Sequence, residues 1–108
     1  MQDKIYMNKL FDFYGGLLTE KQQQILQYYF RYDLSLQEIA ENENITRSAV
    51  HDMIKRGKED LEFYESKLQL LANQNKRQKI YEKLLDLNDT RIEKLVNQCK
   101  KTEGGQYE

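Results

Sequence analysis

The sequence contains no proline, and from residue 46 to residue 73 nothing in it stops a helix. Those 28 residues would make a rod of about 42 Å at 1.5 Å rise per residue. A helix of that length projects beyond a small globular body and needs something to lie against. Ile54, Gly57, Leu61, Tyr64, Leu68 and Leu71 recur at spacings of 3, 4, 3, 4 and 3, the pattern of a heptad seam. The seam Ile54, Leu61, Tyr64, Leu68, Leu71 is expected either to pack on a helical hairpin formed by the C-terminal segment, folded back on the long helix, or to pair with a second copy. A homodimer is the favoured expectation, because the long helix offers more apolar edge than a short hairpin covers.

Composition supports helices throughout. Leu, Ile, Val and Phe make up a quarter of the 108 residues, too rich for disorder. Valine, the commonest strand former, occurs only twice, so an all-α fold is expected. One cysteine, Cys99, excludes an internal disulfide, and with a single histidine, His51, it cannot close a zinc site. No apolar run approaches the ~18 residues of a membrane span, and Met1-Gln2-Asp3-Lys4 does not resemble a signal peptide. A cytoplasmic protein is expected, with no membrane insertion and no cofactor.

Periodicity and capping signals divide the chain. A first helix is expected over residues 3–14, burying Met7, Leu10, Phe11 and Tyr14, and Gly15-Gly16 end or bend it. Thr19-Glu20-Lys21-Gln22 has the form of a capping box and opens an aromatic-rich helix. Ser35-Leu36-Gln37-Glu38 is a second box, opening a brief helix that fades at Glu41-Asn42-Glu43-Asn44, where an asparagine can take the left-handed backbone of a tight turn. Thr46 caps the long helix. Beyond it, segments at residues 76–87 and from Thr90 onward are expected to form a helical hairpin, with Thr90-Arg91-Ile92-Glu93 as a third box. The expected organisation is therefore a helix-turn-helix domain with its long helix (1–73), a C-terminal hairpin (74–101) and a flexible tail (102–108).

Residues 36–56 carry the functional signal. A short capped helix, a turn and a second capped helix outline a helix-turn-helix. Such a motif needs a small residue where its helices cross, and Ala40 sits there, flanked by Ile39, Ile45, Val50 and Ile54. A recognition helix beginning at Thr46 presents Arg47, Ser48, His51 and Asp52, then Lys55 and Arg56. Arg47 and Arg56 suit phosphates or guanine edges, and Ser48 and His51 suit bases or backbone. An Asp52–Arg56 pair at i,i+4 is also expected, and would occupy Arg56 without any DNA. Residues 46–58 carry a net +3 within a chain of net −1. Two residues depart from the motif: Glu43 stands where an apolar side chain is usual, and Asn44 where glycine is preferred.

Several blocks resemble the YlxM family, small bacterial helix-turn-helix proteins related to the fourth region of sigma factors. They are Met7-Asn8-Lys9-Leu10-Phe11-Asp12-Phe13-Tyr14, Leu17-Leu18-Thr19-Glu20-Lys21-Gln22, Tyr28-Tyr29, Ser35-Leu36-Gln37-Glu38-Ile39-Ala40 and Arg47-Ser48-Ala49-Val50-His51-Asp52-Met53-Ile54-Lys55-Arg56. The likeness covers roughly residues 4–72. It implies a helix-turn-helix of the sigma region-four-like, winged-helix-like DNA-binding class. It also implies a DNA-binding regulator linked, through the family's usual gene neighbourhood, to the signal recognition particle pathway.

Two function classes stay open at this point. One is a regulator that grips duplex DNA through Thr46, Arg47, Ser48, His51, Asp52, Lys55 and Arg56. The other is an accessory module that binds the signal recognition particle, its GTPases or its RNA, with a purely structural helix-turn-helix. An enzyme is not expected: His51 is alone, and no glycine-rich phosphate loop or G-x-S-x-G occurs. The aromatics crowding the first 32 residues lie at helical spacing and read as core. The basic residues Lys76, Arg77, Lys79 and Lys83 read first as a solvated face.

Overall fold

In the computed structural model, described over residues 4–103, six α-helices follow one another and no strand occurs among the described residues. They are α1 (Lys4–Tyr14), α2 (Glu20–Phe30), α3 (Leu36–Glu43), α4 (Arg47–Leu68), α5 (Leu70–Leu85) and α6 (Thr90–Lys101), with a 3₁₀ turn at Gly15–Leu17 between the first two. The fold is all-α, as the composition requires.

The helices begin where side chains can satisfy their free amides. Thr19 and Ser35 each accept from the amide three residues on, and Gln22 and Glu38 reach back to the cap's own N–H, so both capping boxes form. Thr46 accepts from Ala49 N at 3.0 Å. The third box does not form. Asp89, not Thr90, caps α6 by accepting from Arg91 N at 2.8 Å, because its carboxylate reaches the amide two residues on.

One apolar cluster joins α1 to α4. Met7, Leu10, Phe11 and Tyr14 of α1 meet Ile25, Leu26 and Phe30 of α2, Ile39 and Ala40 of α3, and Val50, Ile54 and Leu61 of α4. At Gly57 an added Cβ would lie 2.8 Å from Leu26 Cδ1, so a larger residue in α4 would require Leu26 of α2 to shift. Gly15 is confined in the same way by the Phe11 ring. Of the first 32 residues' aromatics, Phe11, Tyr14 and Phe30 are buried and Phe13, Tyr28 and Tyr29 are partly so, while Tyr32 stays exposed.

The uninterrupted rod expected over residues 46–73 is not formed. α4 ends at Leu68, and Gln69 adopts a left-handed conformation (φ 55°, ψ 32°) before α5 starts at Leu70. For a residue with a Cβ that conformation costs roughly 1–2 kcal/mol. The compensation comes from Glu65, in the last turn of α4. Its carboxylate accepts from Leu71 N (3.1 Å) and Ala72 N (3.0 Å). The Tyr14 hydroxyl donates to the same carboxylate (2.5 Å) and accepts from Leu70 N (3.0 Å). Three amides at the start of α5 are thereby satisfied from outside it, and burial with the Glu65 contact pushes the Tyr14 phenol up to about 12.

This break redistributes the expected seam. Ile54, Leu61 and Leu71 are buried in the chain's own core, Tyr64 is packed against it, and Leu68 is half-exposed. Their interior position leaves most of that seam no surface to offer a second chain. Instead of lying beside α4 as a late hairpin, α5 starts against α1 and runs on to pair with α6, giving a molecule of 56 × 25 × 24 Å. Tyr81 and Val96 are buried within this α5–α6 hairpin. The first residues of the segment expected to be a loose tail are held: Thr102 closes α6, and Glu103 accepts from Arg77 and from the Tyr81 hydroxyl (2.7 Å). The rest of that segment, residues 104–108, lies outside the described residues.

Candidate nucleic-acid interface

The turn between α3 and α4 shows how the two departures from the motif are absorbed. Asn44 takes the left-handed conformation (φ 56°, ψ 45°) that glycine would otherwise supply, a backbone asparagine tolerates better than most residues. Glu43 does not point to solvent. Its side chain is only 9% exposed and turns onto α2, where Lys21 Nζ and Gln24 Nε2 donate to it. An ion pair thus occupies the place of an apolar contact. Ala40 is buried, with Ile39 and Val50, in the cluster where α3 packs on α4.

Packing of Val50, Ile54 and Gly57 toward the core sets the rotation of α4. The opposite face is consequently turned outward, and Thr46, Arg47, Ser48, His51, Asp52, Lys55 and Arg56 are all exposed on the first three turns and their cap. All seven sequence-selected residues lie on the outward half of α4 and its cap, with Arg47 and Arg56 at the two edges of that arc. The expected Asp52–Arg56 pair is not made; Asp52 instead lies 3.6 Å from His51 Nδ1. Among the described residues Arg47, Lys55 and Arg56 form no ion pair, so three cations project unneutralised.

Shallow depressions flank this ridge. One, of about 510 Å³, runs between the start of α2 and α4 and is lined by Thr19, Gln22, Ala49, Asp52, Met53 and Arg56. The other, of about 300 Å³, is lined by Tyr29, Leu36, His51, Ile54, Lys55 and Lys58. Lys58 leans over the Tyr29 ring at 5.1 Å, with Lys4 on the same ring at 4.3 Å. Tyr29 and Leu36 were not among the sequence-selected residues. Their place beside the ridge depends on how α2 and α3 cross α4, which spacing along one helix cannot reveal.

Two helices joined by a tight turn, the second presenting an outward cationic face, define a helix-turn-helix protein. Family comparison agrees with this class. A family model described as "Putative helix-turn-helix protein, YlxM / p13 like" matches residues 1–102, and the chain belongs to that family. A UPF0122 protein of Malacoplasma penetrans is 47% identical over 103 residues, covering 93% of this chain and 95% of its own. A UPF0122 protein of Halalkalibacterium halodurans is 50% identical over 90 residues, covering 82% of this chain and 83% of its own. Among the described residues no helix is long and apolar enough to cross a membrane.

Proposed function

We propose that this chain is a DNA-binding regulator that lays α4 in the major groove of duplex DNA, with α3 bracing it across the backbone. One observation carries the reading: Arg47, Lys55 and Arg56 are exposed and unpaired along the outward half of α4, while apolar packing fixes the inward side. We assign base edges to the first turn of α4, with Arg47 and Ser48, since the first turn of a recognition helix is the part that meets them. Lys55 and Arg56, two turns further on, suit phosphates. His51 and Asp52 lie between them, and Thr46 holds the helix start. The family resemblance supports placing this regulator in the signal recognition particle pathway, in the cytoplasm. A homodimer is the form we propose for it, since two copies can engage groove segments one helical turn apart.

The chain's net charge of −1 sets an expectation for the affinity. Few phosphates are neutralised, so nonspecific binding is weak and salt-sensitive in proportion to a small number of contacts. Fluorescence anisotropy with a labelled duplex selected from a random pool, over a series of salt concentrations, tests this. Arg47→Ala is expected to weaken binding about 10-fold or more and to relax base preference. Lys55→Ala is expected to lower affinity for all sequences and to reduce the salt slope by about one. If neither substitution changes affinity, α4 does not contact DNA. A chain that selects no duplex but co-purifies, after nuclease treatment, with the particle or its GTPases would instead be the accessory module.

A further inference from the structure

The α5–α6 hairpin is an incomplete bundle. Tyr81 and Val96 are its own buried apolar side chains, while Ile80 (54%), Leu87 (63%) and Leu95 (60%) remain exposed. Ile80 directly precedes Tyr81, and Leu95 directly precedes Val96. Each is therefore rotated about 100° in the same sense from the hairpin's seam. Because the two helices are antiparallel, those rotations bring both side chains to the same side of the pair. Leu84 follows Ile80 by four residues along α5, and Leu87, in the turn just beyond the helix, continues the stripe. Lys76, Lys79 and Lys83 rim this stripe and form no ion pair among the described residues.

A matching surface of opposite sign lies on the second half of α4. Phe63 is 57% exposed on the outward side of that helix. Glu59 and Asp60 stand within about one turn of it, and Asp60 is bonded only by the neutral Gln22 amide; Glu62 turns away, with one carboxylate oxygen buried beside Tyr6. Lys58 lies over the Tyr29 ring and Lys67 over Phe63 itself, both still charged, and residues 58–67 together keep an acidic balance, four carboxylates against two lysines.

We propose that the apolar face of the α5–α6 hairpin is covered by the outer face of α4 from a second copy of this chain, and reciprocally. The proposal rests on the homodimer reading above and gives it an interface. Charge selects this arrangement. Packing two hairpins face to face would bring the Lys76, Lys79 and Lys83 rims of both chains together, and like charges across an interface are penalised. Packing hairpin on α4 sets lysines against carboxylates. A two-fold axis uses each patch once per chain and leaves neither unpartnered, as an isologous contact requires. Four exposed apolar side chains per chain leave the water, which a lone hairpin with two buried residues cannot achieve.

Charge reversal in two halves tests the proposal by sedimentation of the full chain. Glu59→Lys with Ser66→Lys makes the α4 face basic, and Lys79→Glu with Lys83→Glu makes the hairpin face acidic. All four positions are exposed in the single chain, and circular dichroism checks that each variant keeps its helices. The unaltered chain is expected to dimerise, with a dissociation constant that rises with salt. Each double variant alone is expected to weaken the dimer about 10-fold or more, and an equimolar mixture of the two to recover it, because every contact in the mixed pair is again of opposite sign. Leu95→Asp and Phe63→Asp are each expected to give monomers. An unaltered chain that stays monomeric overturns both this interface and the dimer, and leaves the DNA reading to the Arg47→Ala result. Charge variants that remain fully dimeric, or that fail to recover on mixing, overturn the interface while the dimer stands on another surface.

Discussion

Replacing Glu65 by alanine removes the acceptor that starts α5. Two backbone amides, Leu71 and Ala72, lose their partner, and so does the hydroxyl proton of Tyr14, a side chain only 1% exposed. Each amide bond is worth about 0.5–1.5 kcal/mol net, and a buried hydroxyl left unpaired costs about 1–3 kcal/mol. The terms overlap, since water reaches the helix start once the carboxylate is gone. A loss of about 2–4 kcal/mol is expected. For a domain of this size each kcal/mol lowers Tm by roughly 4–8 °C. Urea unfolding followed by circular dichroism gives the free energy directly, and amide exchange at Leu71 and Ala72 shows whether the first turn of α5 opens ahead of the rest. Glu65→Gln should fall between, because one oxygen still accepts while the new amide opposes an N–H. A double-mutant cycle with Tyr14→Phe should return a coupling of about 1 kcal/mol or more, as for other bonded neighbours. A loss below about 1 kcal/mol for Glu65→Ala, with zero coupling to Tyr14, would refute the idea that this carboxylate holds the junction.

Other outcomes follow from the same packing. Tyr14, raised to about 12, favours the protonated phenol in the folded chain; its contribution is intact below pH 10 and is lost as the pH rises toward 12. An alkaline unfolding titration should lose that component in Tyr14→Phe. Gly57→Ala gains about 1 kcal/mol of helix propensity but drives a Cβ into Leu26 at 2.8 Å, and overpacking costs about 1–3 kcal/mol. A net loss near 1 kcal/mol in urea unfolding is expected, smaller when Leu26→Ala is already present. Glu103, held below the usual carboxylate range by Arg77, ties the end of α6 down at neutral pH and releases it as the pH falls through that lowered value. Glu103→Gln should raise amide exchange in the last turn of α6 at pH 7 and remove its acid dependence.

Local signals in the sequence carried much of this fold. Thr19, Ser35 and Thr46 name their helix starts because capping depends on residues three apart. Ala40 and the apolar set around it fix the motif because crossing helices admit few residue types. The break at Gln69 had no such mark. Neither glycine nor proline stands there, and the group that stabilises it, Glu65 with Tyr14, joins residues 51 apart in the chain. Glu43 was legible as an anomaly but not in its resolution, since Lys21 and Gln24 reach it only after α2 folds across α3. The exposure of Arg47, Lys55 and Arg56 followed from the 3.6-residue period alone. The release of Arg56 from Asp52 did not, because i,i+4 spacing permits an ion pair without compelling one.

The junction at Gln69 also acts as the fulcrum of a lever. Sixteen residues of α5 span about 24 Å at 1.5 Å per residue. A 10° change in direction at its base would therefore carry the far loop, with Leu87 and Asp89, through about 4 Å, close to the diameter of a methyl group. Such a swing separates meshed side chains. A single carboxylate near the fulcrum thus sets the aim of a surface two dozen ångströms away, and anything that competes for the Tyr14 hydroxyl or the Glu65 oxygens redirects it.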